Sequence, residues 1–147
     1  MEAASRVYFA RILARTGELD EAERQAERAM AIVSELPLEV AFAQIEIAAV
    51  RLLKGDARVA LDAARAANDE LVRAGGIDEG EARIRLIYAE ALHATGDLDE
   101  ARAAITTARD RLHARAAKIG DEAWRQSFLE CVPENARTLE LARAWSA

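Results

Sequence analysis

The side chains able to do covalent or metal chemistry are few in this chain, and they are scattered. His93 and His113 stand apart from each other and from the single Cys131, and neither lies in a ligand spacing such as His-x-x-x-His. We read the histidines as structural or surface groups, with His93 also placed to face a groove. With no histidine beside it to draw off its proton, Cys131 reads as a buried packing residue rather than a nucleophile. Gly75-Gly76 lacks the Lys-Ser/Thr of a phosphate loop and follows a helical pattern, not a strand. Asp99 and Glu100 open a helix, where its positive end favours carboxylates. Arg109, Arg111, Arg115, Lys118 and Arg125 spread around a helix with Asp110, Asp121 and Glu122 among them. That is the pattern of a solvated face, with a patch for an acidic partner as the weaker alternative. We therefore expect no catalytic residue, no metal and no cofactor.

The elements carrying these residues are helical. Hydrophobic residues make up 52% but aromatics only 5%, so alanine supplies much of the apolar content, and only two prolines interrupt it. Alanine, arginine and glutamate lose little side-chain freedom in a helix, and the β-branched and aromatic content that strands need is missing. The fold class expected is all-α. A formal net charge of −6 argues against nucleic acid, whose non-specific binding rests on cations meeting phosphates. No apolar run approaches the ~20 residues that span a bilayer, and no basic-then-apolar leader opens the chain. A lone cysteine fits a reducing compartment, so we expect a cytoplasmic location. The abrupt entry into helix after Met1 leads us to expect a piece of a longer protein.

A repeat organises the helices. The glycines at 17, 55 and 96 lie 38 and 41 residues apart, and the residues after them fall into register. Leu19, Ala57 and Leu98 match, then Ala22, Ala60 and Ala101, then Ala26, Ala64 and Ile105. Ala29, Ala67 and Ala108 follow, and Val33, Leu71 and Leu112 close the set. These positions step by 3, 4, 3 and 4, one stripe of a helix. Before each glycine, Val7, Ile45 and Leu86 align, as do Phe9, Ile47 and Tyr88, and Ala10, Ala48 and Ala89. Alanines let two helices approach closely, and hairpins of this kind bury their faces by stacking on neighbours.

The turns Gly17-Glu18-Leu19-Asp20-Glu21-Ala22 and Gly96-Asp97-Leu98-Asp99-Glu100-Ala101 resemble those of the tetratricopeptide repeat family, with Gly55-Asp56-Ala57-Arg58-Val59-Ala60 a degenerate copy. The resemblance covers about residues 3–118. The periods exceed the family's usual ~34 residues, as in its longer-helix variety. It implies an α-solenoid of three helical hairpins wound as a right-handed superhelix, at 3–36, 38–74 and 81–118, with two capping helices over 121–146. Helices are expected near 3–16, 19–35, 38–54, 57–74, 81–95, 98–118, up to Cys131, and from Pro133 to Trp145. Asp56 and Asp97 are expected to cap second helices through their side chains. Gly75 to Gly80 should be the most flexible joint, and the second repeat with that junction the place of irregular packing. Arg51 stands where the other repeats have Leu13 and Leu92; either its helix rotates or it pairs with a carboxylate.

In the family the first helix of each repeat lines the concave face. Carried over, this implies groove positions at Val7, Arg11 and Ala14, then Phe42, Ile45, Glu46 and Ala49, then Arg83, Leu86, Glu90 and His93. Family members that grip a chaperone's terminal carboxylate use a polar and basic clamp at positions held here by Val7, Arg11, Glu46, Arg83 and Ile87. Only Arg83 keeps the charge sense, so an internal protein segment or a neighbouring domain is the expected partner. In the tail, Trp124, Phe128, Leu129, Val132, Leu139, Leu141 and Trp145 are expected to cover the third repeat. Its Phe128-Leu129-Glu130 and Val132-Pro133-Glu134-Asn135 elements resemble the C-terminus of multidomain bacterial serine/threonine kinases and related ATPase or transcription regulators. The function implied is a non-catalytic protein-interaction scaffold. Self-association is the first alternative, and sensing of a small ligand the second.

Overall fold

Glycine-closed helix ends set the architecture. In a computed structural model, which describes residues 1–146, Gly17, Gly55 and Gly96 adopt φ of 88°, 85° and 89°. At each turn the glycine N–H bonds the carbonyl three residues back, and the next N–H reaches the carbonyl five back, as in Glu18 N–H to Leu13 (2.9 Å), Asp56 N–H to Arg51 (2.9 Å) and Asp97 N–H to Leu92 (3.0 Å). Gly55 therefore makes the same turn as the other two, and the second repeat is not irregular there. The capping expectation fails differently. Asp56 and Asp97 stand at the N-cap positions, but neither side chain bonds the helix N–H groups. Asp56 instead accepts from Arg51 at 3.0 Å and Asp97 from the Thr95 hydroxyl at 2.6 Å.

Eight helices result, with no strand among the described residues: α1 (Glu2–Thr16), α2 (Leu19–Ile32), α3 (Pro37–Leu53), α4 (Ala57–Arg73), α5 (Glu81–Thr95), α6 (Leu98–Ala116), α7 (Glu122–Glu130) and α8 (Pro133–Trp145). The chain is all-α. Consecutive helices pack together from α1 to α8, and α1 to α3, α3 to α5 and α5 to α8 also touch. Among the described residues the backbones of α2, α4 and α6 stay apart, though Arg65 of α4 pairs with Glu100 of α6 at 3.8 Å. The aligned stripes form the core: Ala22, Ala26, Ala29, Ala60, Ala64, Ala67, Leu71, Ala101, Ile105, Ala108 and Leu112 are buried, as are Ala10, Ala48 and Ala89. No helix among the described residues is long and apolar enough to cross a membrane.

Arg51 takes the second of its two alternatives. It forms ion pairs with Glu23 of α2 and with Asp56, and Glu23 is also held by Lys54 at 2.7 Å. The Gly75–Gly80 joint carries three glycines at positive φ, yet it is tied down. Glu81, 1% exposed, accepts from the Ile77 N–H at 3.1 Å, from Arg85 at 2.7 Å and from Arg111 of α6 at 2.7 Å. Arg115 donates to the Asp78 carbonyl and Arg125 to that of Ile119, so much of the basic stretch holds structure.

The tail does only part of what was expected. Leu141 and Ala142 pack with Leu86, Ala89 and Ile105, and Trp145 joins them while stacking on His93 at 4.4 Å and 5°. Trp124, by contrast, is 74% exposed and Cys131 is exposed. Both belong to α7 or its end, a helix of nine residues that buries none of them. α7 touches α6 and α8 but turns Trp124 to solvent.

Candidate functional site: a pocket between α1, α3 and α5

α1, α3 and α5 leave a concavity between them. Its volume is about 400 Å³, within the range of ligand-sized sites. Ala3, Ala4 and Val7 of α1, Ala29 and Val33 at the end of α2, and Ile45 of α3 make apolar surface. Tyr8 and Phe42 supply aromatic walls, and Glu39, Glu79 and Glu134 put carboxylates around them. The Tyr8 hydroxyl lies 3.3 Å from Glu79, joining α1 to the joint before α5. Phe42 packs on Gly80, whose φ is +87° and where an added Cβ would stand 2.5 Å from the ring. Glycine is needed at that point both for the backbone and for the ring.

Beneath this pocket lies an ion triad that ties the three helices. Glu46 of α3 is 1% exposed. Arg11 of α1 donates to it through Nη2 at 2.7 Å and Nε at 3.1 Å, and Arg83 of α5 through Nε and Nη2, both at 2.7 Å. Burial works against the charge of Arg83, but its bonds to Glu46 and the field of Glu134 and Glu90 outweigh that, so its pKa is raised above the ordinary guanidinium value. Arg11 also lies over the Tyr8 ring, 5.4 Å from its centroid, a cation–π arrangement. Both arginines line the pocket with their bonding directed largely at Glu46. The triad keeps one net positive charge, and the three other carboxylates leave the lining acidic.

Of the positions carried over from the repeat, Val7, Arg11, Phe42, Ile45 and Arg83 line the pocket and Glu46 sits below it. Ala49 packs against the central core instead. Leu86, Glu90 and His93 do not reach the pocket. Leu86 is buried under α8, Glu90 pairs with Arg137 of α8 at 3.2 Å, and His93 stacks on Trp145. Tyr8, Glu39, Glu79 and Glu134 belong to the site and were missed. Helical spacing could have found two of them, since Ala4, Tyr8 and Arg11 share a face of α1, and Glu39, Phe42 and Glu46 a face of α3. Glu79 comes from the joint and Glu134 from the tail, where no periodicity operates. No three His, Cys, Asp or Glu side chains among the described residues are placed to hold a metal. No family model, curated protein or solved structure matches the chain.

Proposed function

We propose that the chain is a non-catalytic interaction module, a tetratricopeptide-like solenoid that receives a segment of a partner protein, or of another domain of its own parent, in the pocket between α1, α3 and α5. The observation that carries this is the pocket itself: apolar and aromatic walls with a few polar groups, built from the row of first helices that contact in series. That composition suits an internal segment, whose side chains enter while its backbone stays capped. The tail's resemblance supports placing the module at the C-terminus of a larger bacterial signalling protein of the serine/threonine kinase kind.

Selection of displayed random peptides on the immobilised chain tests the reading. Selected peptides should lose binding to Ala4→Phe, which fills the pocket from an exposed position while leaving the helical circular dichroism unchanged. If selected peptides bind Ala4→Phe as well as the parent, the pocket is not the receiving site. A second reading, self-association, is favoured by Phe9 and Ile12, which stand 47% and 58% exposed on α1. Exposed apolar side chains close together mark contact surfaces. Light scattering that gives a monomer at all concentrations excludes it.

A further inference from the structure

We propose that the segment received by the pocket is basic: it presents an arginine or lysine side chain beside a large apolar one. This rests on the pocket reading above and adds the chemistry of the occupant. The chain has two cations at the pocket, Arg11 and Arg83, and both already bond Glu46. The carboxylates are in the opposite condition. Glu79 takes only the Tyr8 hydroxyl, and the side chains of Glu39 and Glu134 make no hydrogen bond or ion pair among the described residues. Counting Arg11, Arg83 and Glu46 with these three glutamates, two positive charges face four negative ones.

An anionic segment entering here would meet the carboxylates of Glu39, Glu79 and Glu134, and each arginine has only the N–H groups left over from Glu46 to offer it. Drawing more from them would strip Glu46, which is 1% exposed. Removing the partners of a buried charge is costly. A cationic head meets Glu39 or Glu134 directly, and its alkyl stem lies along the apolar wall, as amphipathic side chains do at partly wet sites. Tyr8 already carries a guanidinium over its ring, and Phe42 offers a second aromatic wall. The volume, about 400 Å³, leaves room for an apolar neighbour of the cation.

Calorimetric titration with three capped probes tests this: acetyl-Leu-Arg-Leu-Arg-Leu-amide and its counterparts with Gln or Glu in place of Arg. The Arg probe should bind about tenfold more tightly than the Gln probe, the size expected for a charged hydrogen bond, and the Glu probe more weakly than either. The double variant Glu39→Gln/Glu134→Gln, with its folding checked by thermal denaturation, should bring Arg and Gln probes within about twofold. Rising salt should narrow the gap. Equal affinity for Arg and Gln probes, both abolished by Ala4→Phe, overturns the basic segment and leaves the pocket reading standing. Probe binding that Ala4→Phe leaves intact overturns both.

Discussion

Two buried glutamates in this chain are built alike and differ in what surrounds them. Glu46 and Glu81 are each 1% exposed and each held by two arginines. Glu46 collects its partners from helices on either side, Arg11 of α1 and Arg83 of α5, and both arginines also border open space. Glu81 collects Arg85 from its own helix, Arg111 from α6 and a backbone N–H from Ile77. A carboxylate that binds backbone holds a loop, whereas one that binds only side chains can hold them in place for something else. Glu81 thus converts a glycine-rich joint into a defined turn. Glu46 holds two cations at the edge of a pocket and engages two N–H groups of each.

Replacing each glutamate separates the two roles. Glu81→Ala leaves two arginines and the Ile77 N–H without their acceptor, and should lower unfolding free energy by about 3–5 kcal/mol in urea titration. Acid makes a milder version of the same change. Burial alone would raise the Glu81 pKa, but bonds from Arg111, Arg85 and the Ile77 N–H hold it at about 2, against an ordinary 4.5. Because the folded value is depressed, its stabilisation is complete above pH 4.5 and is lost as pH falls through 2, amounting to at most about 3 kcal/mol. Glu81→Gln should flatten that part of the pH–stability curve, and an unchanged slope would count against the assignment. Glu46→Ala should cost less, about 2 kcal/mol, because Arg11 can turn to water. It should also weaken a basic probe, since the freed arginines make the pocket less acidic.

Glycines extend the comparison. Gly80→Ala strains a φ of +87° and drives a Cβ into Phe42, an expected loss of about 2 kcal/mol by thermal denaturation, whereas Gly55→Ala meets nothing within 4 Å and should lose about 1 kcal/mol through backbone strain alone. Smallest should be Arg51→Met. Lys54 still neutralises Glu23 at 2.7 Å, so the change should stay under about 1 kcal/mol. A larger loss would mean that Arg51, not Lys54, keeps Glu23 buried.

What could be read in advance follows from which forces are periodic. The alanine stripes and glycine turns repeat, so the helices, their buried faces and part of the pocket follow from register alone: Val7, Arg11, Phe42, Ile45 and Arg83 fall where the repeat puts them. Interactions that occur once have no register. The apolar tail was expected to cover the third repeat, but no pattern shows that this contact takes Leu86, Glu90 and His93 away from the pocket and brings Glu134 to it. The same holds for the joint, where three glycines suggest looseness and one buried glutamate supplies the ties. Trp124 and Cys131 teach the converse: apolar character alone buries neither, because the short α7, which carries Trp124 and ends at Cys131, buries none of its side chains while α8 takes the surface of α5.

The central claim is that recognition happens in the pocket between α1, α3 and α5, and amide-shift mapping tests it most directly. Titrating the nitrogen-15-labelled chain with acetyl-Leu-Arg-Leu-Arg-Leu-amide should move the amides of Tyr8, Phe42 and Gly80 together. Those of Val59, Val72 and Trp124, exposed apolar residues on other surfaces, should stay in place. Shifts confined to Val59, Val72 or Trp124, with the pocket amides unmoved, would contradict it.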